Sequence, residues 1–553
     1  MTLTEQSEFA SVSMLQGFLP LLKQLGTVVV LDTIDSDFES KCQQHIDSDE
    51  RVYLFAFAPP HCIPKHLPCH VIPVFPWAHP TIVGLESNAD SRLSLPVSLK
   101  AFNSAITCSS FAMQAINEAT DSMLHLSVIP APVWDQWNET RLKSAPVKAV
   151  KNKTLDLKKV VLDSTDYALT GDTIYPGKNV IAPLSGTPEN YSDRTLIAAH
   201  FGTYNQDAIG VGFYEPESWG MWSRSLSPWI KLSQTVQGKI LVKLALSAFG
   251  PNIGREIQVS IGGETVTVIA ESQVREFEFS LDIRSPGNVL SFENLSRINR
   301  GRADDPRTIG LGVASLSIRA EEAGDALDSG DLKAANFTIL HLQGVVYTAL
   351  VEPIDRKDGW QDIIIAFCLA LRRERDANLI LVIESTDLLS YVNDMLEIWC
   401  KLTPFDCRII AVQGALTTAE RAALIEATSF VVNNASAEGH CQSLMDFMSC
   451  GIPAIAPDHT AMQDYISPAN AFVVESESEP CTWPDDLEGR YTTLCYRPNW
   501  ESLLHAFEKS FEIAHQSTGV YEAMSTAAVR ALQRHCSLDT TKSKLHNFLA
   551  EVK

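Results

Sequence analysis

A chain of 553 residues is too long for one hydrophobic core, so about two to four domains are expected. A hydrophobic share of 45% and a charged share of 20% are those of an ordinary globular protein. The balance of 44 basic against 67 acidic residues, a net charge of −23, argues against nucleic acid and anionic lipid surfaces as partners. No apolar run reaches the roughly 18 residues of a transmembrane helix. The opening MTLTEQSEFASVS lacks the basic start and apolar core of a secretory signal, so a cytoplasmic location is expected. The 12 cysteines include no C-x-x-C pair and read as reduced, small core residues, and no metal site is expected.

In chain order, MLQGFLPLLKQLG predicts an amphipathic helix and TVVVLD, 27–32, a buried strand. Further strands are expected in RVYLFAFAPP, HVIPVFPW and SAITCSSF, with a helix from Ala112. Strands separated by helices imply a parallel sheet with crossover connections. Residues 141–175, which begin RLKSAPVKAVKNKTLDLKK, are Lys-rich and weakly patterned, and read as a linker. From 176 to 320 the period changes to two. KILVKLALSAF, REIQVSIGG, ETVTVIAE and VREFEFSLDI, bounded by PNIG, GG and SPGN, predict an antiparallel β-sandwich. An acidic hinge, 321–334, leads back to α/β texture over 335–553: strands in FTILHLQGVVYTAL, ANLILVIE, FDCRIIAV, SFVVNNA and PAIAP alternate with helices over 360–375, 388–402, 417–427 and 443–450. The stretch from Trp500 is helical.

The segment SFVVNNASAEGHCQSLMDFMSCGIPAIAPDHTAMQDYI, 429–466, carries the most chemistry. A buried strand ends in small and polar residues, and a loop with Glu438 and Gly439 opens a helix containing Asp446. Gly439 admits close backbone approach, and N–H groups at a helix start favour an anion. Gly451 and Pro453 close the helix before the next strand. Ligands of open α/β sheets bind beyond such strand ends. After a strand ending near Val351, Arg356 and Lys357 lie on a loop before a helix, where paired cations can neutralise a diphosphate leaving group.

These segments, with the DY element of HTAMQDYISPANAFVV, resemble the donor site of retaining GT-B glycosyltransferases of the family 4 (group 1) type over about 335–475. The resemblance implies an α/β fold with two Rossmann-like domains (1–140 on the acceptor side, 335–553 on the donor side) and an inserted antiparallel β-sandwich. It implies transfer of a sugar, with retention, from a nucleotide-diphosphate sugar to a glycan or lipid-linked glycan, as in bacterial surface polysaccharide synthesis, without a metal or other cofactor. Glu438 with its loop residues Gly439, His440 and Cys441 then contacts the sugar. Asp446 contacts the ribose, and Lys357 and Arg356 hold the leaving phosphate. The chain departs from the pattern in two places: Asp446 replaces a glutamate, and the loop reads E-G-H-C. A degenerate, non-catalytic glycan-binding or scaffold protein is the rival reading.

The middle region resembles jelly-roll modules of bacterial glycosyltransferases around GVGFYEPESWGMWSR, where Tyr214, Trp219 and Trp222 either stack on sugar rings or plug the sandwich core. APPHC and FPWAHP resemble acceptor-side loops, which makes His61 and His79 candidate cleft residues or plain loop histidines. Asp35-Ser36-Asp37 and Asp47-Ser48-Asp49 match a metal-binding D-x-D spacing but read as solvated loops and helix caps.

Overall fold

The computed structural model describes residues 11–31, 34, 37–58, 60–64, 66–81, 98–144, 147–157, 161–170, 173–176, 195–201, 208–214, 216–296, 298–299, 307–320, 338–352, 359–383, 389–482 and 492–552. The protein is α/β, with parallel sheets of Rossmann-like strand–helix alternation and an antiparallel, sandwich-like module. Its chain forms two compact units, Met1–Ala149 with Lys357–Gly359 and Ser429–Lys553, and Val150–Arg356 with Trp360–Thr428.

In the first unit the strands Tyr53–Ala56, His70–Phe75, Ser104–Thr107 and His125–Val128 pair in parallel in chain order. Helix Ser110–Ala119 fills one crossover, and its N-terminus is capped by Ser109, whose hydroxyl accepts from the Ala112 N–H. The core beneath is apolar, built on Phe75, Trp77, Leu99, Phe102 and Ile116. The strand expected over 27–32 is not formed in its described part. Among the described residues, 27–31 pair with no strand, Val29 is 75% exposed, and the sheet begins at Tyr53–Ala56.

The same unit holds three short parallel strands, Phe430–Val432, Ala454–Ala456 and Ala471–Val473, all buried or nearly so. Helix Gln442–Ser449 joins the first two. At its end Gly451 adopts φ 82°, and a Cβ there would sit 2.7 Å from the Ser525 hydroxyl. Only glycine lets helix Thr518–Cys536 come that close. Helix Leu538–Glu551 then returns to the N-terminal sheet: the Leu538 N–H donates to Asp135 at 2.6 Å, and Phe548 stacks on His125 with centroids 5.1 Å apart.

In the second unit, strands Thr338–Val351, Ala377–Ile383 and Arg408–Gln413 are parallel, with Ala377–Ile383 buried throughout. The stretch read as a linker turns out to supply edge strands to this sheet. Val150–Leu157 pairs antiparallel along Thr338–Val345, and Val161–Asp163 along Ile410–Val412. A nearly buried ion pair anchors the second of these: Arg408 Nε donates to Asp163 at 2.9 Å, and its Nη2 to the same carboxylate.

The antiparallel module is built on two very long strands, Trp229–Ala248 and Arg275–Glu293. The register between them shifts at Lys231–Val236 and Val236–Gly238, and Gly238 takes φ 85°. Beyond this kink, Ile240–Ala248 pairs with Leu311–Ala320, whereas before it Trp229–Leu232 pairs with Ala208–Val211. The two ends of Trp229–Ala248 therefore have different neighbours on either side of the bulge, and buried residues along the module, among them Ile230, Leu244, Val259 and Phe292, share one core.

Candidate functional site

Strand Phe430–Val432 delivers Asn433 and Asn434 to the head of the Glu438 loop. Asn433 Nδ2 donates to Glu438 Oε1 at 3.1 Å and lies 3.3 Å from Cys441 Sγ. The Glu438 N–H donates to the Thr460 hydroxyl at 3.1 Å, and its carbonyl accepts from the Ala461 N–H at 3.0 Å. Glu438 is thus held at both ends while its side chain stays half-buried.

Two non-glycine residues here adopt the left-handed region, Cys441 at φ 48° as the N-cap of helix Gln442–Ser449 and Thr460 at φ 51°. For a β-branched residue such as Thr460 this is unusual and costs roughly 1–3 kcal/mol. Both strained positions bracket Glu438, and such strain persists where surrounding contacts over-determine it.

Buried polar atoms in this region with no hydrogen-bond partner among the described residues include Asn434 Oδ1, His440 Nε2, Gln442 Oε1 and His459 Nε2. Satisfied interiors leave few such atoms. Burial, reinforced by the neighbouring His535, lowers the His440 pKa to about 3. Burial alone lowers His459 to about 4, and its ring stacks on Tyr496 at 4.6 Å. Both imidazoles are neutral at pH 7, each able to offer one donor and one acceptor nitrogen. Burial and the nearby Cys441 and Glu438 push the Tyr465 phenol well above its ordinary value, keeping it protonated.

Gly439 meets the end of the N-terminal sheet: a Cβ on it would lie 2.8 Å from Pro76 Cβ and 3.2 Å from the Trp77 nitrogen. His79, 1% exposed, lies two residues on, with its ring 6.1 Å from that of Trp77. The structure therefore brings the Glu438 loop and the stretch carrying His79 together. His61 belongs to the short helix Pro60–Cys62, and its side chain lies outside what is described. Arg356 and Lys357 also lie outside the described residues. Gly359, just beyond them, has φ 54°, and a Cβ there would meet Asn434 Nδ2 at 2.7 Å. Gly359 thus touches the head of the Glu438 loop.

Asp446 takes a different place from the one the resemblance implies. It is 2% exposed, and its Oδ1 accepts from Trp137 Nε1 at 2.8 Å and Gln136 Nε2 at 2.9 Å. The carboxylate ties helix Gln442–Ser449 to the segment after the N-terminal sheet. A position one turn further along the helix from the loop faces that segment, which spacing alone did not reveal.

The sandwich aromatics pack against their own module. Trp222 is buried, 5.0 Å from Trp219 in an edge arrangement, and Trp219 Nε1 donates to Glu217 at 2.9 Å. Glu217 pairs with Arg307 at 2.8 Å, whose guanidinium lies 5.5 Å from the Tyr214 ring. A Cβ on Gly312 would come within 2.5 Å of Trp219. Of the D-x-D pairs, Asp35 is outside the described residues. Asp47 accepts from Gln43 at 2.8 Å at a helix end, and Asp49 turns the chain at φ 62°.

Sequence reasoning did not single out Asn433, Asn434, Gln442, His459 or Thr460. The one available signal was polar residues where a buried strand ends, as in the pair Asn433-Asn434.

Residues 189–320 match the model of a family described as a domain of unknown function, DUF7024. The chain is 24% identical over 183 residues to phosphoglycerol transferase I of Citrobacter koseri, and equally to that of Salmonella paratyphi B, covering 30% of this chain and 22% of each relative. Among solved structures, an Anabaena protein, Alr3699/HepE, in complex with UDP and glucose is similar over 37% of this chain and 48% of its own, at 15% identity and TM-score 0.28. The pneumococcal O-GlcNAc transferase GtfA, in complex with UDP and GlcNAc, is similar over 37% and 35%, at 13% identity and TM-score 0.27. A family 29 carbohydrate-binding module, CBM29-2, is similar over 25% of this chain and 99% of its own, at 11% identity and TM-score 0.18. The chain thus spans about a fifth of the length of the curated relatives it matches.

Proposed function

We propose that the protein is a glycosyltransferase that moves a sugar from a nucleotide-diphosphate sugar to a glycan or lipid-linked glycan, with retention and without a metal, in the cytoplasm. The observation that carries this reading is the Glu438 loop. Its carboxylate is held in place by Asn433, and the loop and its neighbours carry buried polar atoms with no partner among the described residues, which suits a polyhydroxylated ligand. In this reading Glu438 and the neutral His440 and His459 orient the sugar. Arg356 and Lys357 meet the charge that develops on the leaving diphosphate, and His79 lines the acceptor side. Catalysis is then positioning and electrostatics, with the departing phosphate taking the acceptor proton.

The rival is a degenerate, non-catalytic glycan-binding protein. It is favoured by the engagement of Asp446 with Trp137 and Gln136, where a ribose contact would need that carboxylate. A panel of nucleotide sugars, screened by thermal shift and then for transfer, separates the two readings. A ligand selective for the folded state raises stability as RT ln(1 + [L]/Kd). We expect one donor to bind and to be turned over, and Glu438→Gln to lower transfer about tenfold or more while the fold stays intact. Turnover unaffected by Glu438→Gln would remove the proposed site, and binding without turnover would establish the rival.

A further inference from the structure

A cavity of about 1360 Å³ opens where helix Ser110–Ala119, the segment 463–470 and the helices Thr518–Cys536 and Leu538–Glu551 meet. Three cations line it, Arg530 and Arg534 from one helix and Lys544 from the next. None of the three has a carboxylate in salt-bridge range among the described residues, in a chain where acids outnumber bases 67 to 44. Arg530 and Arg534 are four positions apart on one helical face, where like charges repel. The helix dipole favours a cation in the last turn and so accounts for Arg534. It accounts neither for Arg530, a turn earlier, nor for Lys544 on another helix.

Two carboxylates share the cavity, Asp464 and Glu522. Asp464 accepts from the Ser110 N–H at 2.8 Å through Oδ2 and from the Ser110 hydroxyl through Oδ1, and its charge also acts on Lys544. Glu522 lies exposed, two turns of helix before Arg530. Lys544 is partly desolvated, which lowers its pKa. Three cations lining one hollow, with Arg534 Nε donating to the Arg530 carbonyl at 3.3 Å and no salt bridge to a carboxylate among the described residues, attract a compact anion, and a guanidinium pair matches phosphate oxygens bidentately.

We propose that this cavity binds a phosphate ester group through Arg530, Arg534 and Lys544. The proposal uses none of the residues assigned to the donor, and its test does not depend on the transferase reading. The group belongs either to a soluble phosphorylated compound or to a phospholipid headgroup, two sources of the same chemistry.

The full-length protein and the triple variant Arg530→Gln, Arg534→Gln, Lys544→Gln are titrated with inorganic phosphate by calorimetry. Both are also sedimented with phosphatidylcholine vesicles, with and without phosphatidylglycerol. Arg530 and Arg534 are exposed, so the double variant Arg530→Gln, Arg534→Gln serves should Lys544→Gln disturb the fold. Phosphate binding weakened about tenfold or more by the substitutions supports the site with a soluble ligand. Vesicle binding that needs phosphatidylglycerol, is lost in the variants and is competed by phosphate supports it with a headgroup. Equal binding by wild type and variants, or no binding to either probe, overturns the proposal.

Discussion

The Glu438 loop and the Trp219–Trp222 corner of the antiparallel module both stand out in the sequence as places to hold a sugar, yet their interiors differ. Around Glu438, Asn434, His440, Gln442 and His459 each present a buried polar atom without a partner among the described residues. At the aromatic corner, Trp219 donates to Glu217, Glu217 pairs with Arg307, and Gly312 is a glycine because the Trp219 ring presses on it. The first region gathers several such atoms around one loop, whereas the Trp219, Glu217 and Arg307 groups of the second satisfy one another. The difference teaches that residue type nominates a site, whereas unsatisfied geometry distinguishes a site from a core.

The comparison breaks most sharply at Trp222. Trp222→Ala removes a buried ring and should cost about 3–5 kcal/mol, read as a lowered denaturation midpoint of the module. Nucleotide-sugar binding should be unchanged. A stable variant that loses glycan binding would make the corner a site after all.

Next in size is Gly439→Ala. The added carbon would press on Pro76 and the Trp77 backbone, which must move by several tenths of an ångström. We expect about a tenfold loss of turnover with little loss of stability, since a small misplacement of positioning groups is costly. Full activity would mean that the contact of this loop with the N-terminal sheet plays no part.

A smaller effect lies in pH. His440 is depressed to about 3, and His459 and His535 to about 4, chiefly by burial. The unfolded chain binds these protons near pH 6.5, before the folded one does. The stability the three contribute is therefore complete above about pH 6.5 and is lost as pH falls toward 4, with a slope of at most about 1.4 kcal/mol per pH unit for each group. Denaturant midpoints measured from pH 7 to 4 test this, and His459→Phe should flatten the fall. A variant as acid-sensitive as wild type would show that His459 is not buried neutral.

The smallest expected effect is none at all. Activity should survive chelation by EDTA, and Asp47→Asn with Asp49→Asn should leave it unchanged, because Arg356 and Lys357 are assigned the charge of the leaving group. Loss of transfer on chelation, restored by manganese, would move the chemistry to another site.

The alternation of strand and helix over 430–456 was legible because it is local: an apolar run, a polar loop, an amphipathic helix and a closing Gly451-Ile452-Pro453. The strands Val150–Leu157 and Val161–Asp163 were not. The first pattern, VKNKTLDL, keeps its buried residues sparse, as an edge strand with one packed face does, and its partner lies almost 190 positions away. TVVVLD reads as a strand from composition, but β propensity fulfils itself only where a neighbouring strand is in reach.

What the sequence by itself determined is the order of elements, the two textures of α/β and antiparallel β, and the identity of Glu438 as the acid of a strand-to-helix loop. These come from periodicity and turn chemistry within about twenty residues. Only the tertiary structure decided that Asn433 holds Glu438, that Asp446 serves Trp137 and Gln136, and that Arg530, Arg534 and Lys544 converge on one cavity. Hydrogen bonding, desolvation and charge act over a few ångströms of space, and a single sequence carries no trace of which side chains meet, whether neighbours in the chain such as Asn433 and Glu438 or distant partners such as Trp137 and Asp446.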